Sequence, residues 1–123
     1  MTQPLALLSY EKLLPGSQLM HRLEDLGYRV QTIPETGKLV AEAEQSKPLL
    51  VIVDVEPKIP AACEAIAGLH QHIGTMHIPV IAITGEGREE AQEAARQAGA
   101  KLVVTDIAIL AHLDQFLEQA LEI

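Results

Sequence analysis

Asp54, Thr84 and Asp106 each stand at the end of a short, β-branched-rich run. In a parallel sheet that is the edge where ligands and chemistry gather. Ser9, Tyr10 and Glu11 close an earlier apolar run in the same way, and Thr105 precedes Asp106. A carboxylate pair such as Glu11 and Asp54 can hold a cation. Two close carboxylates also push one pKa up, unless Lys12 or Lys58 compensates the charge. For Asp54 and Thr84 the plain alternative is a carboxylate and a hydroxyl bonding nearby loop amides. For Thr105 and Asp106 it is capping of the last helix, since Asp and Thr are favoured N-caps.

Other reactive side chains are placed less suggestively. His70 and His72 are two apart on a helical stretch and point roughly 200° apart, so they cannot share a metal ion. His77 falls in the following loop, and His21 and His112 fall on other helices. No zinc site is expected. Cys63, the single cysteine, has no adjacent base in the sequence and reads as a small core residue rather than a nucleophile. Gly85-Glu86-Gly87 has the outline of a phosphate-cradling turn, but Glu86 opposes an anion.

Short apolar runs alternate with helical stretches along the whole chain. Leu5–Tyr10 is the first predicted strand. A helix with Pro15 in its first turn follows, carrying Leu19, Leu23 and Leu26 on one face, and Gly27 stops it. Tyr28–Ile33 alternates at period two, as a half-exposed strand does. Thr36 is the expected cap of a short second helix with Leu39, Val40 and Ala43. Leu49–Val53 reads as a central strand covered on both faces, ending at Asp54. The third helix starts near Pro60 and places Ala62, Ile66, Leu69 and Ile73 on one stripe. Ile78–Ile83 is the fourth strand, ending at Thr84. The fourth helix runs from about Glu89 to Ala98, stopped by Gly99. Its inner face is only Ala91, Ala94, Ala95 and Ala98, which buries little area and predicts a loosely held helix. Leu102–Val104 is the fifth strand. The last helix carries Leu110, Leu113, Leu117 and Leu121, with Phe116 beside them.

Five βα repeats with short connections predict a parallel sheet with right-handed crossovers and helices on both faces. The expected fold is a three-layer α/β/α sandwich, a doubly wound sheet in strand order 2-1-3-4-5. A chain of 123 residues supports one domain, 1–123, with one sheet. Its 48% apolar content is ample for a core, and its scarce aromatics (Tyr10, Tyr28 and Phe116) make that core aliphatic.

The formal net charge is −8. It argues against a nucleic-acid face and against a polybasic membrane anchor. No apolar run approaches the roughly 20 residues of a membrane-spanning helix. Met1-Thr2-Gln3-Pro4 lacks the basic and apolar regions of an export signal. With one cysteine and no internal disulfide, the expected setting is the cytoplasm.

An Asp after the third strand and a Thr after the fourth, 30 residues apart in a five-repeat α/β chain, resemble the receiver domain of response regulators, which is CheY-like and flavodoxin-like in fold. Leu23-Glu24-Asp25-Leu26-Gly27-Tyr28-Arg29-Val30, Ile78–Thr84 and Ala95-Arg96-Gln97-Ala98-Gly99-Ala100 fit the same family in register. The resemblance implies that Asp54 is the phosphoacceptor position and Thr84 the switch position. It also implies a magnesium-binding acidic pair after the first strand and a Lys-Pro after the fifth. Here the acidic pair falls on Ser9 and Tyr10, with Glu11 one place late. Asp106 stands at the Lys position and Ile107 at the Pro position. Val103 replaces the aromatic that turns with the switch, and Pro57 comes one residue early, followed by Lys58.

These exchanges move local charge by about three units against a phosphate dianion. One charge pair at 4 Å is worth about 4 kcal/mol at an effective dielectric near 20, and roughly 1.4 kcal/mol is tenfold in rate. The implied protein is therefore a degenerate receiver, or pseudo-receiver. It is a non-enzymatic signalling module without a cofactor, working through the face formed by the fourth helix, fifth strand and last helix. Its partner would be a histidine kinase or downstream effector, or a second copy of the chain. The alternative is a working receiver, phosphorylated on Asp54 by a sensor histidine kinase, with Glu11 and Asp54 holding magnesium. An enzyme reading comes from Asp54-Val55-Glu56 and Thr84, which also resemble the first two motifs of haloacid-dehalogenase-type phosphatases. Glu56 stands where that family has a second Asp, and no later Lys and acidic pair matches.

Overall fold

The computed structural model describes residues 4–10, 13–33, 35–55 and 59–121. Five parallel strands, β1 (Leu5–Ser9), β2 (Arg29–Thr32), β3 (Leu50–Asp54), β4 (Val80–Thr84) and β5 (Leu102–Thr105), form one sheet in the order β2-β1-β3-β4-β5. The helices are α1 (Leu13–Asp25), α2 (Leu39–Ser46), α3 (Ile59–Gln71), α4 (Glu89–Ala98), α5 (Asp106–Ala111) and α6 (Leu113–Leu121), with a 3-10 turn at Thr36–Lys38 before α2. Strand order and layering are those the repeat pattern predicts.

The alternation along each strand decides which helix layer it feeds. Leu7, Val51, Val53 and Ala82 face one side and pack with Leu39, Ala43, Ala62, Ile66 and Leu69 of α2 and α3 and with Ala91 and Ala95 of α4. Ala6, Leu8, Ile52, Ile81 and Ile83 face the other side. There they meet Leu19 and Leu23 of α1, Ile109 of α5, and Leu113 and Leu117 of α6. The central strands are buried on both faces, whereas β2 is an exposed edge. Thr75 ties down the turn after α3 by donating its hydroxyl to the Leu69 carbonyl at 2.6 Å. Among the described residues no helix is long and apolar enough to cross a membrane.

The structure corrects several local expectations. Thr36 does not cap α2. The chain enters that helix through the 3-10 turn, where the Lys38 N–H donates to the Glu35 carbonyl at 3.0 Å, and neither cap position makes a side-chain cap bond. Leu26 lies beyond the end of α1, where Gly27 at φ 94° turns the chain toward β2, and it is 46% exposed. Ile73 lies past the end of α3 and is 88% exposed, so the stripe stops at Leu69. Leu49 precedes β3 and is also exposed. The single last helix is two segments, because His112 leaves helical geometry at φ −132°, ψ 36°. The His112 ring stands edge-on to Phe116 across the break, and Ile109, rather than Leu110, is fully buried ahead of it. Helix α4 keeps its expected bounds, ending where Gly99 adopts φ 117°. Its fully buried residues are Ala91 and Ala95, with Ala94 and Ala98 half-buried.

Candidate functional site

Parallel register brings the predicted residues to one edge. Ser9 pairs with Val53, Asp54 with Ile83, and Thr84 with Thr105, so each strand delivers its last residue to the carboxyl end of the sheet. Tyr10 follows β1 and Asp106 opens α5. Glu11, Lys12, Glu56, Pro57 and Lys58 lie outside the described residues.

Tyr10 is the residue whose role the spacing did not reveal. It is half-buried and packs beside the β1-α1-α6 layer. Its phenol is pushed far above the ordinary tyrosine range, first by burial and then by the negative charges of Asp54 and Asp106. The three groups therefore share one electrostatic environment, in which the phenol holds its proton first because burial disfavours the phenolate and then because a phenolate would add a third negative charge. An aromatic directly after the first strand, opposite an acid after the third and another after the fifth, is the signal that could have found this cluster.

Thr84 is 1% exposed, and its hydroxyl oxygen is buried without a hydrogen-bond partner among the described residues. Buried hydroxyls are rarely left unpaired, since the lost bond with water goes uncompensated. Thr105 and Asp106 divide the capping role. Thr105 is the N-cap of α5, its hydroxyl accepting from the Ala108 N–H at 3.1 Å. Asp106 accepts from the Ile107 N–H at 2.9 Å through Oδ1. Both bonds place acceptors against the donor-rich start of a helix. Val103 is partly buried against the α2-α3-α4 layer.

The remaining candidates resolve in different ways. The turn at Gly85-Glu86-Gly87 leads to α4 with Glu89 and Glu90 in its first turn, a crowd of carboxylates that disfavours a phosphate. Burial raises the pKa of the Cys63 thiol, so it stays protonated. His70 and His77, placed by the sequence on the third helix and in the loop after it, line the same cleft at the opposite edge of the sheet.

Magnesium gathers hard, charged oxygens in an octahedral set. At the ends of β1 and β3 the described donors are the Ser9 hydroxyl, the Tyr10 phenol and the Asp54 carboxylate. Among the described residues no three His, Cys, Asp or Glu side chains group as a metal-holding set. By themselves these described donors, one carboxylate and two neutral hydroxyls, are a poor set for that ion, while Glu11 and Glu56 lie outside the described residues.

No protein-family profile matches the chain. No curated protein matches it by sequence. Solved structures match it closely in shape. The receiver domain of a sensor histidine kinase from Pseudomonas aeruginosa, solved with magnesium in its active-site cleft, superposes with TM-score 0.88 at 20% identity, covering 99% of this chain and all of that one. The chemotaxis response regulator of Vibrio cholerae superposes with TM-score 0.83 at 19% identity, covering 97% and 99% of the two chains. A response regulator from Thermotoga maritima gives 0.82 at 16% identity over 99% and 100%. The chain thus has the fold of CheY-like response-regulator receiver domains.

Proposed function

We propose that this chain is a receiver-type module of two-component signal transduction. In this reading it is not an enzyme, and it acts by binding a partner protein rather than by magnesium-dependent phosphorylation. One observation carries it: the Tyr10 phenol stands in the field of Asp54 and Asp106, where the receiver resemblance places a magnesium-binding acid and a phosphate-binding Lys. A phosphoryl dianion on Asp54 would meet the Asp106 carboxylate with no charge from Tyr10 or Ser9 to offset it. The partner surface in this reading is the face of α4, β5 and α5, which exposes Ile107 at 64% beside the thin alanine face of α4. The partner is a kinase, an effector or a second copy of the chain.

The test is incubation with acetyl phosphate and Mg²⁺, followed by intact mass measurement. The chain is expected to gain no phosphoryl mass. A gain that disappears in Asp54→Ala overturns the reading.

A second reading has its own support. The unpaired buried hydroxyl of Thr84, one residue beyond the strand partner of Asp54, is the kind of donor a phosphoryl oxygen would satisfy. In that reading a sensor histidine kinase phosphorylates Asp54, with Glu11 completing a metal site.

A further inference from the structure

We infer that the amino-terminal edge of the sheet holds a binding pocket for a small organic anion, an acidic head group on an apolar body. A cleft of about 760 Å³ opens there, within the roughly 300–1,000 Å³ of small-molecule sites. Leu5, Arg29 and Val80, the first residues of β1, β2 and β4, lie in its wall. It is thus at the opposite end of the sheet from Asp54 and Thr84.

Its charge runs against that of the chain. The sequence has 17 Asp and Glu against 9 Lys and Arg, yet no Asp or Glu is among the described residues of the wall, which include Arg29, Lys47, Lys101, His70 and His77. Lys47 is exposed at the end of α2, its backbone left-handed at φ 52°. Arg29 and Lys101 have interactions of their own within the protein. Lys47, His70 and His77 are therefore the donors a ligand would meet first. His70 is set in place by Gly99, where a Cβ would come within 3.0 Å of the imidazole.

Cations at helix C-termini also offset the negative end of the helix dipole, and Lys47 and His70 stand at the ends of α2 and α3. That role does not reach Arg29, which opens β2, or His77, which precedes β4. The apolar half of the ligand follows from the rest of the wall. Leu49 and Met76 are 43% and 53% exposed and stand beside the cations with Pro48 and Pro79. Pro4, Pro48 and Pro79 offer no N–H to an anion, and the N–H groups of Lys47, Leu49, Gly99 and Lys101 already donate to carbonyls within the fold, which leaves its head group to the side chains.

The probe is 8-anilinonaphthalene-1-sulfonate, compared with the neutral N-phenyl-1-naphthylamine that shares its rings. Binding is followed by fluorescence and by amide shifts in NMR. The sulfonate is expected to bind saturably at one site per chain and to move the amides of Leu49, Gly99 and Lys101, leaving Thr84 and Gly85 in place. The neutral probe is expected to bind about tenfold more weakly, as the loss of one charge-assisted contact implies. Lys47→Asn, which tolerates the left-handed backbone, is expected to weaken the sulfonate about fivefold, and Asp54→Asn to leave it unchanged. If Lys47→Asn does not fold, Lys47→Gly, which the left-handed backbone also accepts, takes its place. Absence of saturable binding, equal affinity for the two probes, shifts confined to the carboxyl edge, or full affinity in the folded variant would each overturn the inference.

Discussion

At the carboxyl edge of the sheet Tyr10 holds its proton beside Asp54 and Asp106. At the amino edge Lys47, His70 and His77 line a cleft with no carboxylate among its described walls. Part of this polarity belongs to any βα repeat. Helix N-termini point to the carboxyl edge and favour acceptors such as Thr105 and Asp106, while helix C-termini point to the amino edge and favour cations such as Lys47. The remainder belongs to this sequence. A receiver-like carboxyl edge works by reversing that local rule, placing a Lys and a metal where anions must bind. In the proposed reading Asp106, which accepts from the Ile107 N–H, returns that position to the plain helix-capping choice and the reversal is lost. Among the described residues the amino-edge cleft gathers Arg29, Lys47 and Lys101 without a carboxylate.

The largest effect should come from remaking the carboxyl edge. Tyr10→Asp combined with Asp106→Lys supplies one metal-binding acid and one phosphate-binding cation, each worth about 4 kcal/mol at close range. Labelling by acetyl phosphate in Mg²⁺ is then expected to rise by orders of magnitude. A double variant that stays unlabelled, though folded, would show that something other than these two residues separates the edges.

The next effect should strike both edges alike. Ile81 is fully buried between the sheet and the α1-α5-α6 layer. Ile81→Ala is expected to cost about 2–5 kcal/mol in denaturant unfolding. If instead one edge melts before the other, the two ends are not parts of one cooperative unit.

The Tyr10 environment gives a pH dependence confined to the carboxyl edge. A phenol whose proton is held more tightly in the folded state adds stability below the ordinary tyrosine value of about 10. That stability is lost as pH rises through this value toward the folded one. Tyr10→Phe is expected to flatten the alkaline loss. In a Tyr28→Phe background, where the second buried phenol no longer contributes, Asp106→Asn or Asp54→Asn is expected to lower the pH of phenolate absorbance. Burial is the larger cause, so neither change should bring Tyr10 fully back. The smallest effect is at Thr105. Removing its bond to the Ala108 N–H in Thr105→Ala is expected to cost about 1 kcal/mol in thermal unfolding, without altering sulfonate binding at the amino edge.

The fold was legible because its strongest signals are continuous in sequence. The run Leu49–Val53 reads as a strand covered on both faces, one residue longer than β3 at its start, and Gly99 marked the end of α4 because a left-handed stop favours glycine. Legibility failed where tertiary packing overrode the local pattern. The break at His112, the outward turn of Ile73 and the 3-10 entry to α2 all sit where chain direction is set by the next element. At the candidate site, Asp54, Thr84, Thr105 and Asp106 come to one edge because strand order alone carries them there. Tyr10 was legible as a replacement but not as the centre of the cluster, since its meeting with two acids depends on side-chain direction. The amino-edge cleft was not legible at all. Its basic side chains come from positions 29, 47, 70, 77 and 101, which have no common spacing and meet only when four helix-to-strand connections return to the same side of the sheet.

In the proposed reading the carboxyl edge lacks the charge to hold a metal-bound phosphoryl group. Calorimetric titration of the folded chain with Mg²⁺ and beryllofluoride, a phosphoryl mimic, measures this directly. The account predicts no saturable heat with the native sequence. A well-defined one-to-one isotherm that vanishes in Asp54→Asn would contradict it and make this domain a working phosphoacceptor.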